Sequence, residues 1–212
     1  MVLRVNPEKK EEKERVAHTL LRATLRLASA HGFASLGLRE VAREAAIAPT
    51  SFYRHFADME QLGLALIHGL VARFLADFLE RGREAWQTTG SDDPSELVFA
   101  LATHALAGVK ADPELGRFLV AERVGAVASF RAAIAKQLEQ LSNTLQQGFR
   151  ESATHRPLPA YAADALVVLI LTACGRALDA EASMPALGDE LRQQLRLILT
   201  VTRASQGAAG TP

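Results

Sequence analysis

Apolar residues recur at spacings of three and four along most of the chain, which is the period of a helix that buries one side. In the first such stretch one face carries Val16, Leu20, Ala23 and Leu27. No stretch alternates apolar and polar residues, with β-branched side chains between turn signals, as a half-buried strand would. The pattern therefore predicts an all-α fold.

Glycine, proline and aspartate residues mark where the predicted helices begin and end. Gly32 suits the end of the first helix, Gly37 the N-cap of the second and Asp58 the N-cap of the fourth. Pro49 fits the first position of the third, where its missing N–H would be unpaired anyway. About nine helices result, at approximately residues 8–31, 38–45, 49–56, 59–86, 95–110, 113–124, 129–152, 160–181 and 187–204.

The composition is that of a globular protein, with 49% hydrophobic and 23% charged residues among 212. The most apolar run, Ala165 to Cys174, has about ten residues, whereas a helix needs roughly 20 to cross a bilayer. The charged stretch Met1 to Arg15 contains no apolar segment of signal-peptide length. We therefore expect a cytoplasmic protein that is not embedded in a membrane.

Cys174 is the only cysteine, which excludes an intrachain disulfide and a zinc site built on several thiolates. Because it lies in the apolar run without a nearby base, we expect a buried, unreactive thiol. The sequence also has no glycine-rich phosphate loop, nucleophile elbow or HExxH motif. An enzyme is therefore disfavoured, and no catalytic residue, metal or cofactor is expected.

Positive charge is concentrated at the N-terminal end, although the formal net charge is zero. Residues 1–56 contain ten Lys and Arg against six Asp and Glu, and the remainder contains fourteen against eighteen. A basic segment in a neutral chain favours contact with nucleic acid, because Lys and Arg bind its phosphates. A solvated basic helix face explains the same imbalance, so charge alone does not decide.

Two short helices joined by a brief turn lie in this segment, as in a helix-turn-helix. Phe52 and Phe56 are one turn apart and are expected to pack with Ile47, Leu36 and Leu38, which leaves the polar side chains outside. Hydroxyl groups can donate to phosphates or bases, and arginine can bind guanine with two hydrogen bonds. Candidate DNA-contacting residues are Arg39, Arg43, Pro49, Thr50, Ser51, Tyr53, Arg54 and His55.

The stretch from Phe33 to Phe56, FASLGLREVAREAAIAPTSFYRHF, resembles the DNA-binding signature of the TetR family. The resemblance implies an N-terminal three-helix bundle and a larger helical domain for ligand binding and dimerisation, which we expect at residues 1–57 and 58–212. It implies a homodimer on an inverted-repeat operator of double-stranded DNA. It also places Tyr53 and His55 near phosphates and, near bases, Arg39, Thr50, Ser51, Tyr53 and Arg54.

Within the family, residues 47–56, Glu122 to Gly125 and Phe130 to Ala133 resemble the FabR/DesT-type repressors of unsaturated fatty acid synthesis. That likeness implies a long-chain acyl-coenzyme A (acyl-CoA) effector and repression of fatty acid desaturation genes. The alternative is a TetR-type repressor of an efflux pump that senses hydrophobic drugs. Such pockets often contain several acidic residues or tyrosines, whereas this C-terminal half has one tyrosine, Tyr161.

Three positions depart from the family pattern. Ala46 stands where the turn usually has glycine, so either a left-handed alanine costs about 1 kcal/mol or the turn differs. Gly37 replaces the usual Ser or Thr cap. Met59 stands where many members have a phosphate-binding lysine, and we expect weaker backbone contacts there.

The last two predicted helices carry two apolar stripes, more than one monomer core needs. The stripes consist of Leu166, Leu169, Ile170 and Ala177, and of Leu191, Leu195, Ile198 and Thr202. The family resemblance implies that these helices form a four-helix interface with a second copy, which would bury both stripes. Packing of both stripes inside one monomer is the other possibility.

Aromatic residues are spread over several C-terminal helices, and the space between them is a candidate channel, although the same residues suit a plain core. Candidate ligand-contacting residues are Phe74, Phe99, His104, Phe118, Arg123, Phe130, Phe149, Leu166 and Ile170. His104 also suits a hydrogen-bonded core position. Arg117, Arg123 and Arg131 are candidates for binding coenzyme A phosphates or for surface ion pairs.

Overall fold

The structure is a computed structural model that describes residues 7–89, 93–151, 156–179 and 183–208. Within these ranges the chain is helical and contains no strand, which confirms the predicted fold class. The nine α-helices of these ranges are α1 (Pro7–His31), α2 (Leu38–Glu44), α3 (Pro49–Phe52), α4 in three consecutive pieces (Met59–Leu66, Ile67–Val71 and Ala72–Thr89), α5 (Pro94–Ala111), α6 (Pro113–Glu122), α7 (Ala128–Glu151), α8 (Ala160–Ala177) and α9 (Met184–Ala208).

The predicted helix ends lie where the sequence signals placed them. Gly32 has a φ of 78° after α1, Gly37 is the N-cap of α2, and Pro49 begins α3. The Asp58 carboxylate accepts a hydrogen bond of 2.7 Å from the backbone N–H of Gln61 and so caps α4. Local sequence chemistry therefore fixes most of the boundaries.

Some boundaries differ from the prediction. The α3 helix ends at Phe52 and not at Phe56, because the N–H groups of Arg54 and His55 bond three residues back and tighten the chain into turns. The predicted long fourth helix contains a π-helical turn at Ile67–Val71, and α8 ends at Ala177. The predicted ends at Ser152 and Glu181 lie outside the described residues.

Two hydrophobic cores share α1 and α4. The N-terminal core consists of Leu20, Ala23, Val41, Ala45, Phe52, Phe56 and Leu62. The main core is built by the later helices but also includes Leu25 and Phe33 from the N-terminal end. Because α1 and α4 contribute to both cores, the domain boundary after residue 57 stays a prediction.

The two cores are connected at one joint, which is formed by Gly63, Phe130, Phe33 and Glu122. The Phe130 ring lies directly against the backbone of Gly63, where a Cβ atom would overlap it, and its centroid is 4.7 Å from that of Phe33. The buried carboxylate of Glu122 accepts a hydrogen bond from the backbone N–H of Phe33 at 3.4 Å. These contacts hold α4, α6 and α7 against the end of α1.

Polar contacts at the edge of this joint tie the same elements together. Arg22 on α1 forms an ion pair of 2.9 Å with Asp112, between α5 and α6. The Ser129 hydroxyl on α7 donates a hydrogen bond of 2.6 Å to the Glu60 carboxylate on α4. Both contacts are partly exposed, so geometry at the joint depends mainly on the apolar packing.

Two described segments are long and apolar enough to cross a membrane by length and composition, namely Met59–Gly82 of α4 and all of α8. The apolar stretch in α8 is thus longer than the ten-residue run considered in the sequence. A buried core helix meets the same criterion, and Leu166, Val167 and Leu171 of α8 pack in the main core. The two segments are therefore weak evidence for a membrane.

Cys174, on α8, is 3% exposed, which confirms the expected buried thiol. Burial raises the pKa of this thiol to about 12, so the reactive thiolate is scarce at neutral pH. Among the residues that the structure describes, no three His, Cys, Asp or Glu side chains are grouped to hold a metal ion.

The turn between α2 and α3 closes with two backbone hydrogen bonds that require a left-handed residue. Ile47 N donates to Ala42 O at 2.9 Å and Ala46 N donates to Arg43 O at 3.0 Å, the pattern of a Schellman motif. Ala46 occupies the left-handed position, with a φ of 54°. Of the two possibilities raised by the sequence, the strained alanine is therefore the one that occurs.

Replacing Ala46 with glycine is expected to stabilise the protein. Ala46 is exposed, so Ala46→Gly removes backbone strain without loss of packing and should raise the free energy of unfolding by about 1 kcal/mol. Ala76→Gly is the control, because exposed Ala76 lies inside the last piece of α4, where glycine should lower the free energy of unfolding. Urea unfolding followed by circular dichroism measures both; equal effects of the two substitutions would contradict the interpretation.

Candidate nucleic-acid interface and ligand cavity

The α3 helix is oriented by two buried phenylalanines. Phe52 is fully buried and Phe56 is 7% exposed, and both pack in the N-terminal core with the partly buried Leu36, Leu38 and Ile47. This is the packing predicted from the sequence. The burial of Phe52 and Phe56 fixes which side of α3 faces solvent, because adjacent residues of a helix point in different directions.

The candidate DNA-contacting residues lie on the outside of the helix-turn-helix. Tyr53 is 66% exposed, and the edge of its ring meets the Phe52 ring at a centroid distance of 5.8 Å. The remaining members are exposed or half-buried: Arg39, Arg43, Pro49, Thr50, Ser51, Arg54 and His55. The structure thus leaves hydroxyl, phenol and guanidinium groups accessible on α2, on α3 and in the turns after α3, and we call these eight residues the reading surface.

The surroundings of His55, a member of the reading surface, lower the pKa of its side chain. Burial, Lys13 and Arg54 lower the pKa of its imidazole, so the ring is neutral near pH 7. Its Nδ1 atom is buried and has no hydrogen-bond partner among the described residues. A neutral ring can accept or donate one hydrogen bond, and approach of a phosphate would favour its protonation.

A cavity of about 450 Å³ lies at the other end of the molecule, between α4, α5, α7 and α8. This volume falls within the range of about 300–1,000 Å³ that is common for small-molecule pockets. The cavity is lined by Phe78, Leu79, Gly82, Leu101, Leu141, Thr144, Leu145, Gln147, Gly148, Glu151, Val167 and Ile170. Most of these side chains are apolar, which suits a ligand with a large hydrophobic part.

The polar lining of the cavity comes from one helix, α7. Thr144 donates its hydroxyl proton to the Gln140 carbonyl, and Gln147 donates to the Glu151 carboxylate at 2.7 Å. Within the described ranges, Glu151 is the one charged residue in the lining. A polar group of a ligand would therefore be expected on the α7 side of the cavity.

Of the predicted ligand-contacting residues, Ile170 lines the cavity, while Phe118 and Phe130 lie at the joint. Phe149 and Leu166 are buried in the main core, and Phe74 and Phe99 are half-buried at its edge.

Two of these side chains are engaged outside the cavity. The Arg192 guanidinium lies 3.9 Å from the centre of the Phe99 ring, a cation–π contact. Exposed His104 has its Nδ1 atom 2.9 Å from the carbonyl oxygen of Ala100, one turn earlier in α5. The expectation of a buried, hydrogen-bonded core histidine was wrong in its burial, because this face of α5 meets solvent.

The arginines considered for coenzyme A phosphates do not line the cavity. Arg117 is exposed on α6, and Arg131 donates to the carbonyl oxygens of Gly125 and Ala126 at 2.7 and 2.9 Å. Arg123 is half-buried next to Glu122, and its Nε atom has no hydrogen-bond partner within the described part of the chain. Arg131 therefore holds the loop between α6 and α7.

Sequence reasoning missed most of the cavity lining. Two glycines, Gly82 and Gly148, make room on facing helices, and Leu101 and Leu141 had no feature that separated them from core leucines. A glycine within a predicted helix was the one available signal, because it costs helix stability and so indicates a special packing need.

The last two helices leave an apolar surface exposed. Four of its residues are large and at least half exposed: Tyr161, Val168, Leu197 and Val201. The prediction that the two apolar stripes face a second copy was wrong in register. The members of both stripes are buried or half-buried within the monomer, and Leu166 and Leu195 are fully buried. The most apolar side of each helix packs in the main core, and the next side remains open.

Comparison with known proteins places residues 20–66 in the family model of bacterial regulatory proteins of the tetR family. The fold also resembles two regulators named FadR. The protein from Bacillus subtilis, solved in complex with stearoyl-CoA, is 16% identical with a TM-score of 0.66, over 84% of this chain and 96% of that one. The fatty acid degradation regulator from Bacillus halodurans is 18% identical with a TM-score of 0.63, over 85% and 94%.

A third similar structure is the multidrug binding protein EbrR complexed with imidazole. It is 19% identical to this chain with a TM-score of 0.64, and the match covers 86% of this chain and 94% of that one. At such identities the three structures establish the fold and leave the ligand open.

Removing Tyr53 or Arg54 from the reading surface is expected to weaken DNA binding without unfolding the protein. Tyr53→Ala and Arg54→Ala should each cost roughly 1–3 kcal/mol on an operator selected from random duplex DNA. Fluorescence anisotropy at fixed salt measures the affinity, with Arg117→Ala as the control on a distant exposed arginine. Wild-type affinity in folded variants would remove these residues from the interface.

Proposed function

We propose that the chain is a transcriptional regulator of the TetR family, and that it represses genes of unsaturated fatty acid synthesis and desaturation in response to long-chain acyl-CoA. The observation that carries the proposal is that helix α4 extends from the joint to the cavity. Gly63 of this helix lies in the joint next to the N-terminal core, and Phe78 and Gly82 line the cavity. A ligand in the cavity thus contacts the same helix that supports the reading surface.

The reading surface supports recognition of double-stranded DNA. We propose that α3 enters the major groove, with Arg39, Thr50, Ser51, Tyr53 and Arg54 at base edges and with Arg43, Pro49 and His55 beside them. Pro49 offers an apolar contact for a thymine methyl group. In a dimer, two reading helices about 34 Å apart or somewhat more would meet successive major grooves, so the operator should be an inverted repeat.

The open apolar surface on α8 and α9 supports a homodimer. Val168 is 50% exposed and Leu197 is 64% exposed, and both lie on helices whose other sides are buried in the main core. Leaving such a patch in water is unfavourable, and pairing it with the same patch on a second copy buries both. We propose that this surface, and not the buried stripes expected from the sequence, forms the dimer contact.

The apolar lining of the cavity supports an acyl chain as the effector. The FadR from Bacillus subtilis, which has the same fold, was solved with stearoyl-CoA. Among the residues that the structure describes, no arginine or lysine lines the cavity, so we propose that the phosphates of coenzyme A remain outside it. Exposed Arg81 and Arg150 adjoin the lining residues Gly82 and Glu151 in sequence and are available to such phosphates. We also propose that the regulator acts in the cytoplasm and is not inserted into a membrane.

Glu151 favours a second candidate, a repressor of an efflux pump that senses hydrophobic cations. A carboxylate at an apolar cavity attracts a cationic amphiphile and repels the phosphates of coenzyme A. The multidrug binding protein EbrR has the same fold. Glu151→Gln separates the two candidates, because it should weaken binding of a lipophilic cation and leave acyl-CoA binding unchanged or stronger.

A charge in the apolar surface is expected to dissociate the dimer. Val168→Asp would bring two carboxylates into a symmetric interface, where burial of unpaired charge is costly. Sedimentation equilibrium at micromolar concentration should show a wild-type dimer and a monomeric variant. Val124→Asp is the control, since Val124 is 72% exposed in the loop after α6. A wild-type monomer, or dissociation by both substitutions alike, would contradict the proposed interface.

Saturated and cis-unsaturated acyl-CoA are expected to change operator affinity to different extents. A cis double bond bends the chain, and a close-packed wall accommodates a bent chain only by repacking. If each ligand favours a different arrangement, the effect on operator affinity should be roughly 5–150-fold, typical of allosteric coupling. Parallel titrations with palmitoyl-CoA and oleoyl-CoA below their micelle thresholds test this. Identical curves, or no response, would favour the drug-sensing candidate.

A further inference from the structure

Lys13 lies on the side of α1 that packs against the N-terminal core. It precedes Val16 and Ala17 by three and four residues, and both of these partly buried residues pack against the core that contains Phe56. Residues three and four apart share one side of a helix, so Lys13 extends this side beyond the core and into solvent, where it is exposed. The packing of α1 therefore brings a positive charge toward the turns that follow α3.

The positive charge of Lys13 acts on His55, which belongs to the reading surface. Burial lowers the pKa of the His55 imidazole, and the positive charges of Lys13 and Arg54 lower it further. Such an effect requires proximity, because salt screens exposed charges that are more than about 10 Å apart. Lys13 from α1 and the two basic side chains that follow α3 thus form one group, which we call the basic cluster.

The lysine of the basic cluster has no acidic partner among the described residues. Arg15, two residues further along α1, forms an ion pair of 2.6 Å with Glu12, whereas no such contact joins Lys13 to a described carboxylate. Grouped positive charges repel one another when no negative charge lies between them. An anion bound at the basic cluster would relieve this repulsion and would accept a hydrogen bond from the lysine amine.

We propose that the basic cluster binds a phosphate of the DNA backbone, with Lys13 as a contact from outside the helix-turn-helix. The inference rests on the proposed function, since it takes double-stranded DNA as the ligand of the reading surface. A backbone phosphate is the anion that suits this place, because phosphates border the groove that α3 would enter. Lys13 would then fix the position of the reading surface on the duplex and would contribute nothing to the choice of base.

The test compares Lys13→Gln with the wild-type protein on an operator selected from random duplex DNA and on an unrelated duplex. Loss of one phosphate contact should weaken binding to both duplexes equally, by roughly five- to tenfold at about 0.1 M salt. It should also lower the slope of log affinity against log salt by about 0.9. Lys13→Arg keeps the charge and should bind as the wild-type protein does. Fluorescence anisotropy over a range of salt concentrations measures all three quantities.

Lys136→Gln is the matched control, because it removes the same charge from an exposed position on α7 and should leave the salt slope unchanged. A second readout needs no DNA. The pKa of His55, measured by NMR titration of the free protein, should rise in Lys13→Gln because one of the charges that lower it is gone.

Four results would overturn the inference while DNA binding by the reading surface stands. They are a wild-type salt slope in Lys13→Gln, an equal change of slope in Lys136→Gln, a loss of affinity confined to the operator, and an unchanged pKa of His55 in Lys13→Gln. Failure of the wild-type protein to bind any duplex would overturn both the inference and the proposed function.

Discussion

The packing of the Phe130 ring on the bare backbone of Gly63 is the constraint on which the rest of the structure depends. Neither residue tolerates a larger neighbour, because a Cβ atom at Gly63 would occupy the space of the ring. The ring is fully buried and also meets Phe33 at the end of α1. The helices α4, α6 and α7 thereby connect the N-terminal core to the main core. A shift of α4 would require this joint to repack.

We propose that this constraint lets the long helix α4 transmit movement between the cavity and the N-terminal core. Its first piece carries Leu62 in the N-terminal core and Gly63 in the joint, and its last piece carries Phe78 in the cavity wall. Packed interiors change between discrete arrangements and do not deform smoothly. A ligand that prefers one arrangement would therefore move both ends of α4, whereas a ligand that binds both equally would shift nothing.

The parts of the fold that depend on local chemistry were predictable from the sequence. Capping by Asp58, helix initiation by Pro49 and the burial of Phe52 and Phe56 each follow from a few adjacent residues. The strain at Ala46 was one of two alternatives, and the structure decides between them. Such features need no knowledge of distant segments.

The cavity and the open apolar surface were not predictable in the same way. A cavity is the volume that four helices fail to fill, so its lining depends on contacts between distant residues such as Leu101 and Gly82, which lie on different helices. The stripe on α8 was misassigned because periodicity shows that a side is apolar but not whether it meets its own chain or a second copy. Leu166 therefore proved to be core, and Val168, two residues on, is exposed.

We propose that the cavity and the reading surface are thermodynamically coupled through α4. Coupling of binding sites is reciprocal, so the factor by which oleoyl-CoA changes operator affinity must equal the factor by which operator DNA changes oleoyl-CoA affinity. Calorimetric titration of oleoyl-CoA into the protein, alone and saturated with operator, measures the second factor. The account predicts a change of roughly 5–150-fold that matches the first factor. The same oleoyl-CoA affinity with and without DNA would contradict it.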